Sequence, residues 1–231
     1  MPGIGNIFLA GGVIIMESPI VKVKILGISG TPIKDGNCDK LVQVALKAAA
    51  GVPGVETEFV TLADKKIAEC KHCQWCVKNK ARCKIKDDVH DVHDKMFAAD
   101  GIIMGGPTYC QVLSTQLQNV FFRGREEIFF GHRCTGKVGG ALTLGWFGVG
   151  MEFALKVIEQ MMMSWQIIPV ARSSAIVSTF WKGEHVRYQE NGVMDHPAGV
   201  FGAMGLGTSV AKYAQMMRYA RDAGVGILPK A

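Results

Sequence analysis

Short apolar runs alternate with segments of helical period along most of this chain. Residues 21–29 (VKVKILGIS) alternate and then become continuously apolar, the pattern of a first strand buried on both faces. Residues 38–50 place Leu41, Val44, Ala45 and Ala48 on one helix face. Residues 56–62 predict a second strand. A helix opening at Asp87 and Asp88 follows, with Val89, Val92, Met96 and Ala99 inward. His90 and His93 on that helix read as solvated surface rather than as metal ligands. Residues 101–106 predict strand 3, and residues 115–130 a helix with Leu117, Val120, Phe121 and Ile128 in the core. Residues 137–145 predict strand 4. The helix over 151–165 turns Ala154, Val157, Ile158, Met161 and Trp165 inward, and strand 5 lies within 166–177, interrupted or preceded by Pro169. After a long polar segment, 178–202, expected as a lid or subunit-contact arm, a last helix over 203–223 buries Leu206, Val210, Tyr213, Met217 and Ala220.

Strands separated by helices predict an α/β fold with a doubly wound parallel sheet. The expected architecture is flavodoxin-like, with five strands in the order 2-1-3-4-5. In that order the loops after strands 1 and 3 face one crevice at the switch point. The first loop, GISGTPIKDGNCDK, runs from a strand into a helix N-terminus, where free N–H groups and the helix dipole favour an anion. Ser29, Thr31 and Asn37 add side-chain donors. The loop is neither a Walker A loop nor a G-x-G-x-x-G fingerprint, and it suits one phosphate, such as that of FMN. An ordinary βα turn rich in Gly, Asn and Asp is the plainer alternative. Tyr109 and Cys110, after strand 3, would neighbour the flavin ring; Trp146 and Phe147, after strand 4, would pack on the flavin or on a second subunit.

Composition narrows the class. Of 231 residues, 48% are hydrophobic and 20% charged, which supports a large core and argues against disorder. The net charge of +6 suits an acidic partner or a phosphorylated cofactor. With no Lys/Arg run or basic-aromatic stripe, nucleic acid is not an expected partner. No segment is long enough to span a membrane. Residues 1–20 read as an N-terminal extension to a single domain over 21–231. Their apolar stretch, 4–15, lacks the basic region of a signal peptide, and Met16 opens a stretch that looks like a natural start. A cytoplasmic location is expected.

The most specific feature is CKHCQWCVKNKARC, which follows strand 2. Four of the seven cysteines, Cys70, Cys73, Cys76 and Cys83, stand there as C-x2-C-x2-C-x6-C. Thiolates are soft ligands. Three at a pitch of three can take three corners of a cubane, and a fourth from a short loop can close it. The segment therefore reads as the ligand set of one [4Fe–4S] cluster. Zinc is the next reading, although structural zinc usually takes two separated pairs. Disulfides belong with secreted chains, and thiols that bind nothing complete the alternatives.

These stretches resemble the iron–sulfur flavoprotein family, a branch of the flavodoxin-like NAD(P)H-dependent FMN reductases. The resemblance covers about residues 22–212. GISGTPIKDGNCDKLV resembles the family's phosphate loop and first helix. CKHCQWCVKNKARCKIKDDV resembles its cluster motif, ADGIIMGGPTYCQVLSTQLQNVFFR its flavin loop, and GVFGAMGLGTSVAK its approach to the last helix. It implies FMN phosphate near Ser29, Thr31, Gly36, Asn37 and Cys38. It also implies the isoalloxazine near Pro107, Thr108, Tyr109 and Cys110, with Gly145 and Trp146 closing the site, and cluster ligation by the four cysteines named above. A homodimer or homotetramer is implied as well. Two departures stand out: Cys38 replaces the usual Thr or Ser, and Trp146-Phe147 replaces a more glycine-rich or basic loop. The expected chemistry is electron transfer from ferredoxin or another low-potential carrier through the cluster and FMN to a small-molecule acceptor. The rivals are an NAD(P)H-dependent FMN or quinone reductase with a structural cysteine loop, and a thiol-based redox sensor without enzymatic activity.

Overall fold

The computed structural model describes residues 19–184 and 187–225, with the backbone of 7–10 and 13–16. Within the expected N-terminal extension, β1 (Ile7–Ala10) and β2 (Val13–Met16) pair as an antiparallel hairpin; residues 1–6, 11, 12, 17 and 18 lie outside the description.

The fold is a flavodoxin-like α/β sandwich. Its sheet joins β3 (Val23–Ser29), β4 (Val55–Thr61), β5 (Gly101–Tyr109), β7 (Val138–Gly145) and β8 (Ile168–Ile176) in the order β4-β3-β5-β7-β8, all parallel. A two-residue strand, β6 (Val112–Leu113), adds antiparallel to the end of β5. The sheet thus has six strands rather than the expected five. A two-residue strand carries too little alternation to stand out in sequence. Pro169, which lacks an N–H, is accommodated on the edge strand β8, where the register slips between Gly139 and Gly140.

The period of two along the strands divides the core. Ile25 and Ile103 pack with α1 (Asn37–Ala50) and α6 (Pro197–Asp222), while Leu26, Ile28, Ile102 and Met104 pack beneath α3 (Val89–Ala98), α4 (Thr115–Phe122) and α5 (Met151–Ser164). Helices α1 and α6 cross so closely that a Cβ on Gly207 would lie 1.9 Å from the Ala45 carbonyl oxygen. Gly207→Ala is expected to cost about 1–3 kcal/mol through overpacking, read as a lower urea midpoint. An unchanged midpoint would mean that the helices part without penalty.

Several faces differ from the pattern. The helix expected over 115–130 stops at Phe122, and a π-helical turn over Glu127–Gly131 follows, so Ile128 is exposed rather than core. Val157 and Tyr213 are also exposed. The last helix begins at Pro197, six residues before the expected 203, because Pro at the first turn starts a helix well. His93 is the largest departure. It is 1% exposed, packs edge-on against Trp165 and donates from Nε2 to the Val120 carbonyl at 2.8 Å. His90 is half-buried, with its ring nitrogen 3.2 Å from the Ile85 carbonyl. Neither is solvated surface.

Candidate functional site

The carboxyl ends of β3, β5 and β7 form a cleft bordered by Thr31, Asn37, Cys38, Pro107, Thr108, Tyr109, Gly145 and Trp146. Ile33, Leu144, Val177 and Tyr188 complete its lining. Its floor suits an anion. Gly36 caps α1 with no side-chain bond to the first turn, so the turn's N–H groups remain available to a ligand. Ser29 Oγ is buried against the Cys38 thiol and meets no nitrogen or oxygen partner among the described residues. Burial pushes that thiol up to about 12, so Cys38 stays protonated at neutral pH. Asp39 Oδ2 accepts from the Asp35 N–H at 2.8 Å and its Oδ1 from the Thr61 hydroxyl at 3.0 Å, which fixes the loop with Asp35 at a φ of 55°.

The walls are aromatic. Tyr109 reaches the Thr31 side chain, and burial raises its phenol above the usual value. Trp146 meets Tyr188 edge-on, with ring centroids 3.9 Å apart. Ser178 donates to the Trp146 carbonyl. The Asn37 side chain accepts from the Val193 N–H at 2.8 Å. The described part of the polar segment expected as a lid or subunit-contact arm therefore folds back against the cleft, with two short 3-10 turns, Thr179–Lys182 and Gly192–Asp195. Cys110 lies elsewhere. With Gln111 it forms the two-residue turn between β5 and β6, both at positive φ (47° and 68°), and it is exposed at the tip rather than lining the cleft. Gly150 permits that turn to approach, since a Cβ there would meet the Gln111 carbonyl oxygen at 2.2 Å.

The second region is the cysteine loop between β4 and α3. Cys70, Cys73, Cys76 and Cys83 all border one hollow, together with Arg123 and Arg125. A one-turn helix, α2 (Trp75–Asn79), carries Cys76. Among the described residues no group of three or more His, Cys, Asp and Glu side chains is placed to hold a metal ion. Burial raises the Cys76 thiol, partly offset by the Val77 N–H.

Arg123 is the hub of this region. Its side chain is fully buried. Nε donates to Cys83 Sγ at 3.2 Å, Nη1 to the Ala68 carbonyl and to Asp87, and Nη2 to the Ile85 carbonyl and to Asp87. Arg125 Nη1 is buried without a partner among the described residues. A thiol-lined hollow with two guanidinium groups suits a group of net negative charge. The sequence reading missed Arg123, Arg125 and Tyr188. The two arginines were legible only as the end of the stretch QNVFFRGR, and Tyr188 only as one aromatic in a long loop.

Helix α4 connects the two regions. Ser114, at its start, donates to the Gly30 carbonyl, and Arg123, at its end, holds the cysteine loop. Eight residues at 1.5 Å each make this helix about 12 Å long.

Residues 23–182 match the family described as NADPH-dependent FMN reductase. An iron–sulfur flavoprotein of Methanocaldococcus jannaschii is 34% identical over 197 residues, covering 85% of this chain and 100% of that one. An iron–sulfur flavoprotein of Archaeoglobus fulgidus is 33% identical over 202 residues, covering 84% of this chain and 96% of that one. A WrbA-like flavodoxin from Agrobacterium tumefaciens shares the fold, with a TM-score of 0.55 at 16% identity over 85% of this chain and 99% of that one. The chain belongs to the NADPH-dependent FMN reductase family and, within it, to the iron–sulfur flavoproteins.

Proposed function

We propose that this chain transfers electrons between a one-electron carrier such as ferredoxin, a [4Fe–4S] cluster and FMN, and from there to a small acceptor. As a family member it is an FMN-dependent oxidoreductase. The observation that carries the finer reading is the four-cysteine hollow with its two arginines, joined by one short helix to an anion-ready cleft. When bound, the cluster supplies one-electron and the flavin one- or two-electron chemistry. In this reading Cys70, Cys73, Cys76 and Cys83 hold the iron. Ser29, Thr31, Gly36, Asn37 and Cys38 hold the phosphate, and Pro107, Thr108, Tyr109, Gly145 and Trp146 orient the ring. Cys110, at the hairpin tip, serves only from the margin. Arg123 stabilises the Cys83 thiolate by a charge-assisted bond to sulfur.

Metal and flavin analysis of protein purified without oxygen tests this directly. About four irons, four sulfides and one FMN per chain are expected, and Cys73→Ala is expected to lose the iron and keep the FMN. FMN with zinc, or with no metal, would sink the cluster and leave an NAD(P)H-dependent flavin or quinone reductase with a structural loop.

Cys38→Ser tests the phosphate loop. A hydroxyl beside Ser29 adds one donor, worth about 0.5–1.5 kcal/mol. FMN titrated into apoprotein should bind roughly three- to tenfold tighter by flavin fluorescence quenching. Equal or weaker binding would mean that residue 38 makes no donor contact.

A further inference from the structure

The positive charge of this chain is concentrated in one segment. Residues 65–86 hold eight Lys and Arg against one Glu, a net +7, while the whole chain is +6. The rest of the molecule is therefore close to neutral, and the excess surrounds the four cysteines. Lys65 pairs with Asp64 and Arg82 with Asp94. The other six, Lys66, Lys71, Lys78, Lys80, Lys84 and Lys86, are exposed, and none forms an ion pair among the described residues. Lys71 and Lys84 border the cysteine hollow itself.

Beside Lys71, Lys80 and Lys84 the surface is apolar. Phe122 and Phe129 are each 50% exposed, and Lys80 stands 5.6 Å from the centre of the Phe130 ring. Phe122 and Ile128 line a groove of about 400 Å³ that touches Cys70. Cys73 is the exposed thiol of the set; Cys70, Cys76 and Cys83 are half-buried. An apolar centre with a charged rim is the layout of a transient protein interface. The buried Arg123 and the half-buried Arg125 already border the hollow. The exposed lysines project their field outward instead, over a Debye length of about 10 Å at 0.1 M salt.

We infer that this face docks a small acidic one-electron carrier protein, with the lysine fringe steering it onto the Phe122 groove beside Cys73. The inference rests on the two-centre reading above. One electron leaves the reduced carrier, which is oxidised, and enters the centre held by the cysteine loop, which is reduced; no atom or proton moves with it. All six free cations are lysines. They are compact point charges that suit steering toward a carboxylate-rich surface, and they lack the bidentate fork that favours phosphate recognition.

The test measures binding of an oxidised acidic ferredoxin to the holoprotein at about 50 and about 500 mM salt. It also measures the second-order rate of electron uptake from the reduced ferredoxin. The variant is Lys66→Glu/Lys80→Glu/Lys86→Glu, whose sites are exposed and are not cysteine neighbours. In the wild type, affinity should fall about tenfold or more across that salt range. In the variant, affinity and rate at low salt should fall about tenfold or more and lose most of their salt dependence. Iron content, flavin content and photoreduction by free deazaflavin should stay unchanged. A variant that binds and is reduced like the wild type would overturn the docking face. A wild type that contains iron and is photoreduced, but neither binds the ferredoxin nor accepts its electrons, would overturn the partner and leave the two-centre reading standing. Protein without iron would remove both. A single-stranded RNA oligonucleotide bound more tightly than the ferredoxin through the same lysines would assign the patch to nucleic acid and overturn the proposal.

Discussion

Arg123→Leu is expected to destabilise the protein by about 3–5 kcal/mol and to strip the cysteine loop of its fixed position. The guanidinium is fully buried and makes five hydrogen bonds, to Cys83, two backbone carbonyls and both oxygens of Asp87. Removing it leaves a partly buried carboxylate and two carbonyls without their donor, and it frees residues 68–87 from the end of α4. Leucine restores none of those bonds. Arg123→Lys keeps the charge without the planar fork, so an intermediate loss is expected. The checks are the urea midpoint and the iron bound per chain. A wild-type midpoint with wild-type iron in Arg123→Leu would mean that the loop holds its shape by itself. Asp87 gives the same network an acid limit. Burial pushes its carboxyl up, but Arg123 and the Ala68 and Val89 N–H groups outweigh that and hold it below the usual carboxylate range. A folded-state value below the unfolded one means the stabilisation is present above about pH 4 and is lost as pH falls through the folded value.

His93 sets a second, higher window. Burial among Trp165, Phe97 and Phe121, with the charges of Arg82, His90 and Arg133 nearby, lowers it from 6.5 to about 4. The neutral ring is the folded form, donating to the Val120 carbonyl. The unfolded chain binds a proton near pH 6.5 that the folded chain refuses until about pH 4. Stability is therefore full above pH 6.5 and drains away as pH falls toward 4, by about 3 kcal/mol in all. Urea unfolding at pH 7, 5 and 4 measures the slope. His93→Gln, which keeps a donor for the carbonyl, should flatten it even if it lowers stability at pH 7. An equal slope in that variant, or a His93 that titrates near 6.5 by NMR, would show that the ring is free to charge in the fold.

The contrast between His93 and the cysteines explains what was legible. A C-x2-C-x2-C-x6-C run names its ligands by spacing, because thiols this close in sequence stay close in any fold. His93 sits on a helix among Asp91, Asp94 and Lys95, so one-dimensional pattern placed it outside. It is buried because α4 and Trp165, at the end of α5, close over it within the same helical layer, and no local periodicity records that contact. Ile128 fails the other way: the helical period continues past Phe122, but the backbone does not. Cys110 was placed by its order after strand 3, yet the β5–β6 turn lifts it to the surface.

The cationic fringe was fully present in the sequence. The net charge points to an acidic partner without locating the patch, because the lysines are interleaved with cysteines rather than set in a run and are averaged with a neutral remainder. Buried parallel strands read as continuous apolar runs and β–α alternation leaves few topologies, so the order of the five parallel strands, the polar loop after β3 and the cysteine segment after β4 are legible in one dimension. Packing in three dimensions is what brings Arg123, 40 residues beyond Cys83, to its sulfur, closes Tyr188 onto Trp146 and lets α4 tie the cleft to the hollow. Those contacts depend on how helices and loops pack across layers, where the partners are far apart in the chain and each side chain alone looks like ordinary surface.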